Sequence, residues 1–574
     1  MNGWFHRAAA VVLIQMLALP GGFLAAGPSA ASAEEDARIV HALNRLGYGP
    51  RPGAVEKVRA LGLEKWIQLQ LHPERIDDHA LQARLAGYRT LGLSAADLIA
   101  GYEVPREVKR EIQKKRAEMG EDASEEDMAR ARREFLRVSE NAGSLQQMQG
   151  RPRQVVEELQ AAKVMRAVYS ERQLDEVMVD FWMNHFNVFA GKGQEKFLIG
   201  AYERDVIRPH AWGKFEDLLK ATAQSPAMLF YLDNWLSADP NAAPARMTMA
   251  RGAGFGRRGR FGALGGRRPQ DMPAQARPGQ GQGQGQGRKR GLNENYAREV
   301  MELHTLGVDG GYTQKDVTEV ARCFTGWTIR GLRQDHPEFV FDDRIHDGKD
   351  KLVLGHAIKG GGRGEGEKVL HLLATHPSTA RFISTKLARR FVADDPPASV
   401  VDRAAATFRK TGGDIRAVVA AIVTSPEFLA APTRAVKVKT PLEFVASAAR
   451  ASGADVSDAR DLARRIGEMG MPLYMQQPPT GYKDTSEAWV STSGLLARLN
   501  LALDLAAGRI RGTALSPAAL APAADAETTA AALSARLVPA GLSESTRRTL
   551  KGESGLDTAR VAGLILGSPE FQRR

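Results

Sequence analysis

The sequence of 574 residues has almost no cysteine. Cys323 is the only one, so no disulfide can form within the chain. A c-type haem, which is attached through two cysteines followed by a histidine, is excluded by the same count. Other catalytic signatures are missing too. No G-x-S-x-G nucleophile elbow is present, and the glycine-rich stretch 360–368 has Glu367 where a phosphate-binding loop needs lysine.

Long apolar runs are missing beyond the first 33 residues, which predicts no transmembrane span in the mature chain. The beginning of the chain is different. His6 and Arg7 precede an apolar run over residues 8–19, a Pro-Gly-Gly break follows, and small residues end at Ala33. This order is typical of a cleavable secretory signal peptide. We predict a signal peptide over residues 1–33 and export to the periplasm or the extracellular space. A retained membrane anchor is the alternative, which the break disfavours.

Acidic residues are nearly absent from one tract. Between Arg246 and Arg290 there are eleven Lys or Arg and one acid, Asp271, so the rest of the chain carries only +2 of the formal charge of +12. The tract lies in a Gly/Arg/Gln-rich insertion, residues 238–290, which has little apolar surface to bury and is expected to be disordered. In an exported protein we expect residues 246–290 to contact an anionic polysaccharide or another envelope polyanion, and no nucleic acid. A solvated insertion without a partner is the alternative.

Helical spacing of apolar residues dominates the remainder, as at Val40, Leu43 and Leu46. Alternation typical of strands is scarce and is clearest at residues 339–341 and 351–354. We therefore predict a mostly α, multi-helix fold with two packed helical units and at most one small β-hairpin. The predicted organisation is a helical domain over residues 34–513, which includes a charged helical excursion at 104–150, followed by a linker and C-terminal helices over 514–574.

Polar residues that could form a site are concentrated in segments 181–193, 291–329 and 346–356. If residues 293–306 form a helix, Glu299 and Glu302 lie one turn apart on one face. Two such carboxylates are half of a divalent metal site, which imidazoles would complete. The predicted metal ligands are Glu299, Glu302, His304 and His346. The predicted catalytic residues are His185, Glu299, Glu302, His346 and Asp347.

The same residues also fit a purely structural explanation. Arg298 and Glu302, four positions apart, can form an ordinary helical ion pair, and His185 can be a hydrogen-bonded core histidine. Neither helix has the Glu-x-x-His or i,i+4 His-His spacing of well-attested helical metal sites. A buried polar network that fixes the fold is therefore the alternative to a catalytic metal centre.

Several motifs, in order, resemble the bacterial family DUF1800. They are "HALNRLGYGPRPGAVEKVRALGLEKWIQLQL" from His41, "FWMNHFNVFAGKG" from Phe181, "GLNENYARE" from Gly291, "LLATHPSTARFISTKLARRFV" from Leu372 and "PPTGYKDTSEAW" ending at Trp489. The resemblance covers nearly the whole mature chain, with the Gly/Arg/Gln-rich insertion interrupting it. It implies a secreted, mainly helical bacterial protein, often encoded beside an exported protein of family 1501, and it implies no established activity.

Two functions are compatible with these observations. We favour an exported envelope module without catalytic activity, which works with another exported protein such as a family-1501 member, because no complete catalytic constellation is visible. The alternative is a metal-assisted secreted hydrolase that acts on an envelope or extracellular polymer or on a phosphoester. In that case a metal-bound water would be the nucleophile.

Overall fold

The computed structural model describes residues 30–104, 151–242, 291–332, 336–515, 526–552 and 557–574, together with the single residues 110, 114, 126 and 130. Most of the predicted signal peptide lies outside the described residues. So do nearly all of the predicted excursion at 104–150, the insertion from residue 243 to 290 and much of the linker after residue 514.

The fold is mostly α, as predicted. Before residue 243 the described helices are α1 (Ala30–Arg45), α2 (Ala54–Leu61), α3 (Leu63–Gln70), α4 (His79–Leu85), α5 (Ala95–Tyr102), α6 (Pro152–Tyr169), α7 (Gln173–His185), α8 (Glu195–Ala201), α9 (Arg208–His210), α10 (Phe215–Ala223) and α11 (Pro226–Tyr231). A π-helical turn, Tyr202–Ile207, joins α8 to α9.

The helices described after residue 290 are α12 (Glu294–Met301), α13 (Gln314–Cys323), α14 (Gly364–Thr375), α15 (Pro377–Phe391), α16 (Ala398–Lys410), α17 (Ile415–Val423), α18 (Pro426–Leu429), α19 (Pro441–Ser452), α20 (Arg460–Glu468), α21 (Thr492–Ala506), α22 (Ala526–Leu537), α23 (Glu544–Gly552) and α24 (Thr558–Leu566). A second π-helical turn, Glu302–Leu306, follows α12.

Three antiparallel strand pairs accompany the helices, where the sequence predicted at most one hairpin. They are β1 (Trp327–Arg330) with β2 (Glu338–Phe341), β3 (Lys351–Val353) with β4 (His356–Ile358), and β5 (Asp455–Val456) with β6 (Thr513–Ala514). The predicted strands at 339–341 and 351–354 therefore belong to different pairs. The turn between β3 and β4 explains this, because Leu354 and Gly355 have φ of 48° and 79°. Positive φ at both positions forms a two-residue hairpin turn, which pairs β3 with the next strand.

One continuous cluster of buried apolar side chains extends along the sequence from Ile39 to Phe571. Helices that meet in this core begin with a repeated cap. The Ser225 hydroxyl accepts a hydrogen bond from the backbone N–H of Ala227, and the Ser425 hydroxyl accepts one from Phe428. In each case proline occupies the first helical position, where its missing N–H costs nothing. None of the described helices is both long and apolar enough to cross a membrane.

Candidate functional site

His185 and His304 are core residues in contact with each other. His185 ends α7, and its Nε2 lies 3.1 Å from the carbonyl oxygen of His304. Burial lowers the pKa of His304 to about 3, and burial followed by the charge of Lys386 places the pKa of His185 well below its ordinary value. Both imidazoles are therefore neutral.

Glu299 and Glu302 lie on the helix that the sequence predicts over residues 293–306, formed by α12 and the π-helical turn after it. Both are less buried than Tyr296 and Val300 on the opposite face, which agrees with the predicted spacing. Burial, and then the charge of Glu302, raise the pKa of Glu299 to about 7. The Tyr312 hydroxyl donates a hydrogen bond to Glu302 Oε2 at 2.7 Å. The pair is thus a carboxylate site that changes charge near neutral pH.

His346 and Asp347 belong to a buried polar network. The His346 Nδ1 lies 2.8 Å from the carbonyl oxygen of Thr325, and its Nε2 lies 3.0 Å from Glu365 Oε1. Asp347 accepts a hydrogen bond from Arg322 Nε at 2.8 Å. Both ring nitrogens of His346 are therefore engaged by neighbouring protein groups, which is the arrangement of a network that fixes the fold.

The four predicted metal ligands do not form one metal-holding group. Among the described residues, no set of three or more His, Cys, Asp or Glu side chains is arranged to hold a metal ion. The physical reason is visible at two of the positions, since His346 contacts Glu365 and Glu302 is bonded to Tyr312. In the structure these two side chains are held by neighbouring protein groups.

A pocket beside α7 is the strongest candidate for a site. It lies between α7, the segment 437–440, the end of α15 and the stretch 471–490, which we call the pocket loop. The pocket encloses about 70 Å³, room for about five water molecules at roughly 10–15 Å³ each. Its charged lining residues are Lys163, Asp180, Arg390, Lys437, Lys483, Asp484 and Arg574.

Two asparagines of the last turn of α7 and its exit hold the pocket loop in place. Asn184 Nδ2 donates to the carbonyl of Tyr482 at 2.9 Å, and the Tyr482 N–H donates back to Asn184 Oδ1 at 2.7 Å. Asn187 Nδ2 donates to the carbonyls of Gln476 and Pro478, each at 2.9 Å. These side chains bind backbone groups of the pocket loop, of which, among the described residues, only the Pro478 carbonyl has a second partner, the Gly481 N–H at 3.2 Å. The asparagines of "FWMNHFN" therefore position the loop "PPTGYKDTSEAW".

The backbone around the pocket is tightly constrained. Gly481 has a φ of +69°, and a Cβ atom at this position would lie 2.3 Å from the carbonyl oxygen of Asn184. Four described residues other than glycine have positive φ, and two of them flank the pocket, Ala435 at 51° and Tyr474 at 61°. Such conformations cost about 1–3 kcal/mol each and concentrate at functional sites.

Cations outnumber acids in the pocket. Five of the charged lining residues are lysine or arginine and two are aspartate. Beneath the pocket, Glu443 forms an ion pair with Arg390 and lies 3.0 Å from Arg574 Nε. Burial opposes ionisation of Glu443, but Arg390 and then Arg574 lower its pKa to about 2. One buried carboxylate therefore faces two buried guanidinium groups.

Two nitrogens of the buried guanidinium groups lack hydrogen-bond partners within the described part of the chain. Arg390 and Arg574 are 8% and 4% exposed, and among the described residues neither Arg390 Nη2 nor Arg574 Nη1 has a hydrogen-bond partner. Burial, and then the charge of Arg574, lower the pKa of Lys437 to about 8, although Asp394 opposes the change. Burial also lowers the pKa of Arg574 to about 10. Lys437 pairs with Asp394, and Arg390 and Arg574 share Glu443, so the unsatisfied hydrogen-bond donors of the guanidinium groups distinguish this pocket.

These residues are not among the sites predicted above, yet the sequence contains a signal for them. Arg390 follows Ile383 by seven positions and Leu387 by three, which places it on the apolar face of α15. In "VKVK", residues 436–439, regular alternation would bury the valines, but Lys437 and Lys439 are buried and Val436 is exposed. The sequence signal of the site is therefore a set of charged residues at positions where the pattern predicts buried apolar residues.

The pocket is built from the segments that carry the most distinctive motifs of the chain. A family model described as "Protein of unknown function (DUF1800)" matches residues 41–573. The chain belongs to the DUF1800 family. No curated protein and no solved structure matched it. In this DUF1800 protein the motif at the end of α7, the pocket loop and Arg390 of α15 come together around one pocket.

Proposed function

We propose that this DUF1800 protein binds an anionic group, a carboxylate or a phosphate, in the pocket beside α7, and that it acts as an exported module without catalytic activity. The supporting observation is the pair of buried guanidinium nitrogens without a partner, Arg390 Nη2 and Arg574 Nη1. A planar guanidinium group is well suited to bind an oxyanion through charge-assisted hydrogen bonds.

The free-energy cost of buried donors without partners favours a bound anion over an empty pocket. A buried donor without a partner costs roughly 1–3 kcal/mol, and more when it is charged. Here Arg390 and Arg574 share the single carboxylate of Glu443, and Lys437 pairs with Asp394. Both unpartnered nitrogens are themselves buried, so an oxyanion that displaced the surrounding side chains by a small movement would provide the missing acceptors. The enclosed volume of about 70 Å³ suits a group of this size.

The test is the thermal stability of the protein in succinate or phosphate, compared with chloride at equal ionic strength. We expect saturable stabilisation, about 2.7 kcal/mol when the anion is at 100 times its Kd. Lys437→Gln should weaken this effect. Lys410→Gln removes the same charge from an exposed position outside the pocket and should not. Equal melting temperatures in all salts, with all three proteins folded, would refute the proposal.

Export and partnership are parts of the same proposal. The signal-like sequence of residues 1–33 supports export to the periplasm or the extracellular space, and the family resemblance supports an exported partner such as a family-1501 protein. N-terminal sequencing of protein recovered from the periplasm or the medium should begin at Glu34. A chain that keeps its first residues and stays in the cytoplasm would contradict this. Deletion of residues 246–290 should abolish binding to an anionic polysaccharide if that tract contacts polyanions.

The rival function is a metal-assisted hydrolase acting on an envelope or extracellular polymer or on a phosphoester. Its observational support is the carboxylate pair, because the pKa of Glu299 is raised to about 7 beside Glu302. Elemental analysis of the purified mature protein distinguishes the two functions. Stoichiometric metal that is lost in Glu302→Ala would favour the hydrolase. Metal-free protein that binds succinate would favour the anion-binding module.

A further inference from the structure

The surface around the pocket is unusually apolar. Seven large apolar residues are exposed among the described residues. Four of them lie at residue 436 and within residues 490–496, which adjoin the pocket lining in sequence. Val436 precedes the lining residue Lys437, and Val490 follows the lining residue Trp489. Val490 is 51% exposed. The four residues, which we call the apolar rim, are Val436, Val490, Leu495 and Leu496.

The two stretches of the rim are held together. The N–H of Val438 donates a hydrogen bond to the Ser486 hydroxyl at 3.0 Å, and the N–H of Ser486 donates to Asp394 Oδ2 at 2.8 Å. Segments 436–438 and 486–490 therefore form one side of the pocket mouth. Val436 is exposed next to the buried Lys437, which inverts the usual placement of valine and lysine, and Leu495 and Leu496 follow Val490 on α21.

The pocket is large enough for the anionic group of a ligand but not for a whole small molecule. About 70 Å³ holds a carboxylate or a phosphate group, whereas pockets for whole small molecules are commonly about 300–1,000 Å³. The body of a ligand whose anionic group occupies the pocket must therefore lie outside it, on the mouth. There it would meet exposed apolar side chains of the rim, which can bury apolar parts of a ligand.

We infer that the occupant is a peptide segment of a partner protein, which places an acidic side chain or a terminal carboxylate in the pocket and apolar side chains on the rim. This inference rests on the proposed anion binding. The guanidinium nitrogens Arg390 Nη2 and Arg574 Nη1, which lack an acceptor among the described residues, support the acidic anchor. At the surface, Lys483 lies 3.8 Å from Glu487, so this cation already has an acidic neighbour, which disfavours an anionic bilayer as the occupant.

The probe is a fluorescently labelled hexapeptide with two leucines before a C-terminal glutamate that has a free carboxylate. We expect it to bind about tenfold more tightly than succinate, the gain that burial of one or two apolar side chains gives. The double variant Val490→Ser, Leu496→Ser should lose this tenfold gain and still bind succinate. Leu61→Ser changes a similarly exposed leucine at the end of α2 and should bind the peptide normally.

The outcomes separate the two proposals. If succinate binds but the peptide binds no more tightly, or if the rim variant binds the peptide as well as the wild type does, the peptide inference is wrong and the anion pocket stands. Capture of phosphatidylglycerol vesicles in place of the peptide would identify the rim as a membrane surface and would also overturn it. If neither succinate nor phosphate binds the folded wild type, the proposed function itself fails.

Discussion

Glu195 offers a quantitative test of the structure, because it is an acid without a partner in the core. Its side chain is fully buried at the start of α8, and neither carboxylate oxygen has a hydrogen-bond partner among the described residues. Burial raises its pKa well above the ordinary value of 4.5, although Lys192 opposes the change. The folded protein therefore keeps this carboxyl protonated at pH values where the unfolded chain releases the proton.

The sign of the pH effect follows from this difference. Above pH 4.5 the unfolded state gains stability by deprotonation while the folded state does not, so the free energy of unfolding falls as pH rises. One proton gives a slope of about 1.4 kcal/mol per pH unit until the folded pKa is reached. Glu195→Gln removes the ionisable group, so the stability of the variant relative to the wild type should increase by about 1.4 kcal/mol for each unit of pH.

Urea unfolding of the wild type and of Glu195→Gln at pH 5, 6 and 7 measures this difference directly. Subtraction of the two curves cancels the titration of all other groups. Glu64→Gln, at an exposed position of α3, should stay parallel to the wild type over the same range. A constant difference between Glu195→Gln and the wild type would refute the claim that this carboxyl is buried and unpaired.

Three further predictions concern the pocket and its loop. Gly481→Ala should destabilise the protein more than Gly53→Ala, because both glycines have positive φ but only at position 481 would the new Cβ clash with backbone; urea unfolding measures the excess, and equal losses would contradict the described loop. Asn187→Ala should cost about 1–3 kcal/mol by leaving the Gln476 carbonyl unpaired, whereas Asn295→Ala at an exposed site should cost almost nothing in the same assay. Succinate affinity measured by calorimetry should fall as pH rises through about 8, where Lys437 loses its proton, and an affinity unchanged up to pH 10 would be inconsistent with a role for this cation.

The sequence predicts the helices well, because local spacing determines them. The face of α12 that carries Glu299 and Glu302 follows from positions three apart, and it is the less buried face in the structure. The strand pairing was not predictable in the same way. It depends on Leu354 adopting a positive φ, a conformation that the identity of a leucine does not suggest.

The candidate site was harder to predict because its residues are distant in sequence. Arg390, Lys437 and Arg574 meet only through the packing of α15, the segment before α19 and the end of the chain. Spacing along one helix cannot show such a meeting. The same limit explains the predicted metal ligands. His346 and Glu302 had the right chemistry, but their neighbours Glu365 and Tyr312 engage them in the fold.

The central claim is that an anion occupies the pocket at Arg390 and Arg574, whose guanidinium groups each keep a nitrogen without a hydrogen-bond partner among the described residues. A crystal structure of the protein soaked in selenate tests this claim most directly. Selenate resembles phosphate in shape and charge and is located by its anomalous scattering. We predict one strong anomalous peak within hydrogen-bond distance of Arg390 Nη2 and Arg574 Nη1. A pocket that holds only water, with both guanidinium groups bonded to protein acceptors, would contradict the account.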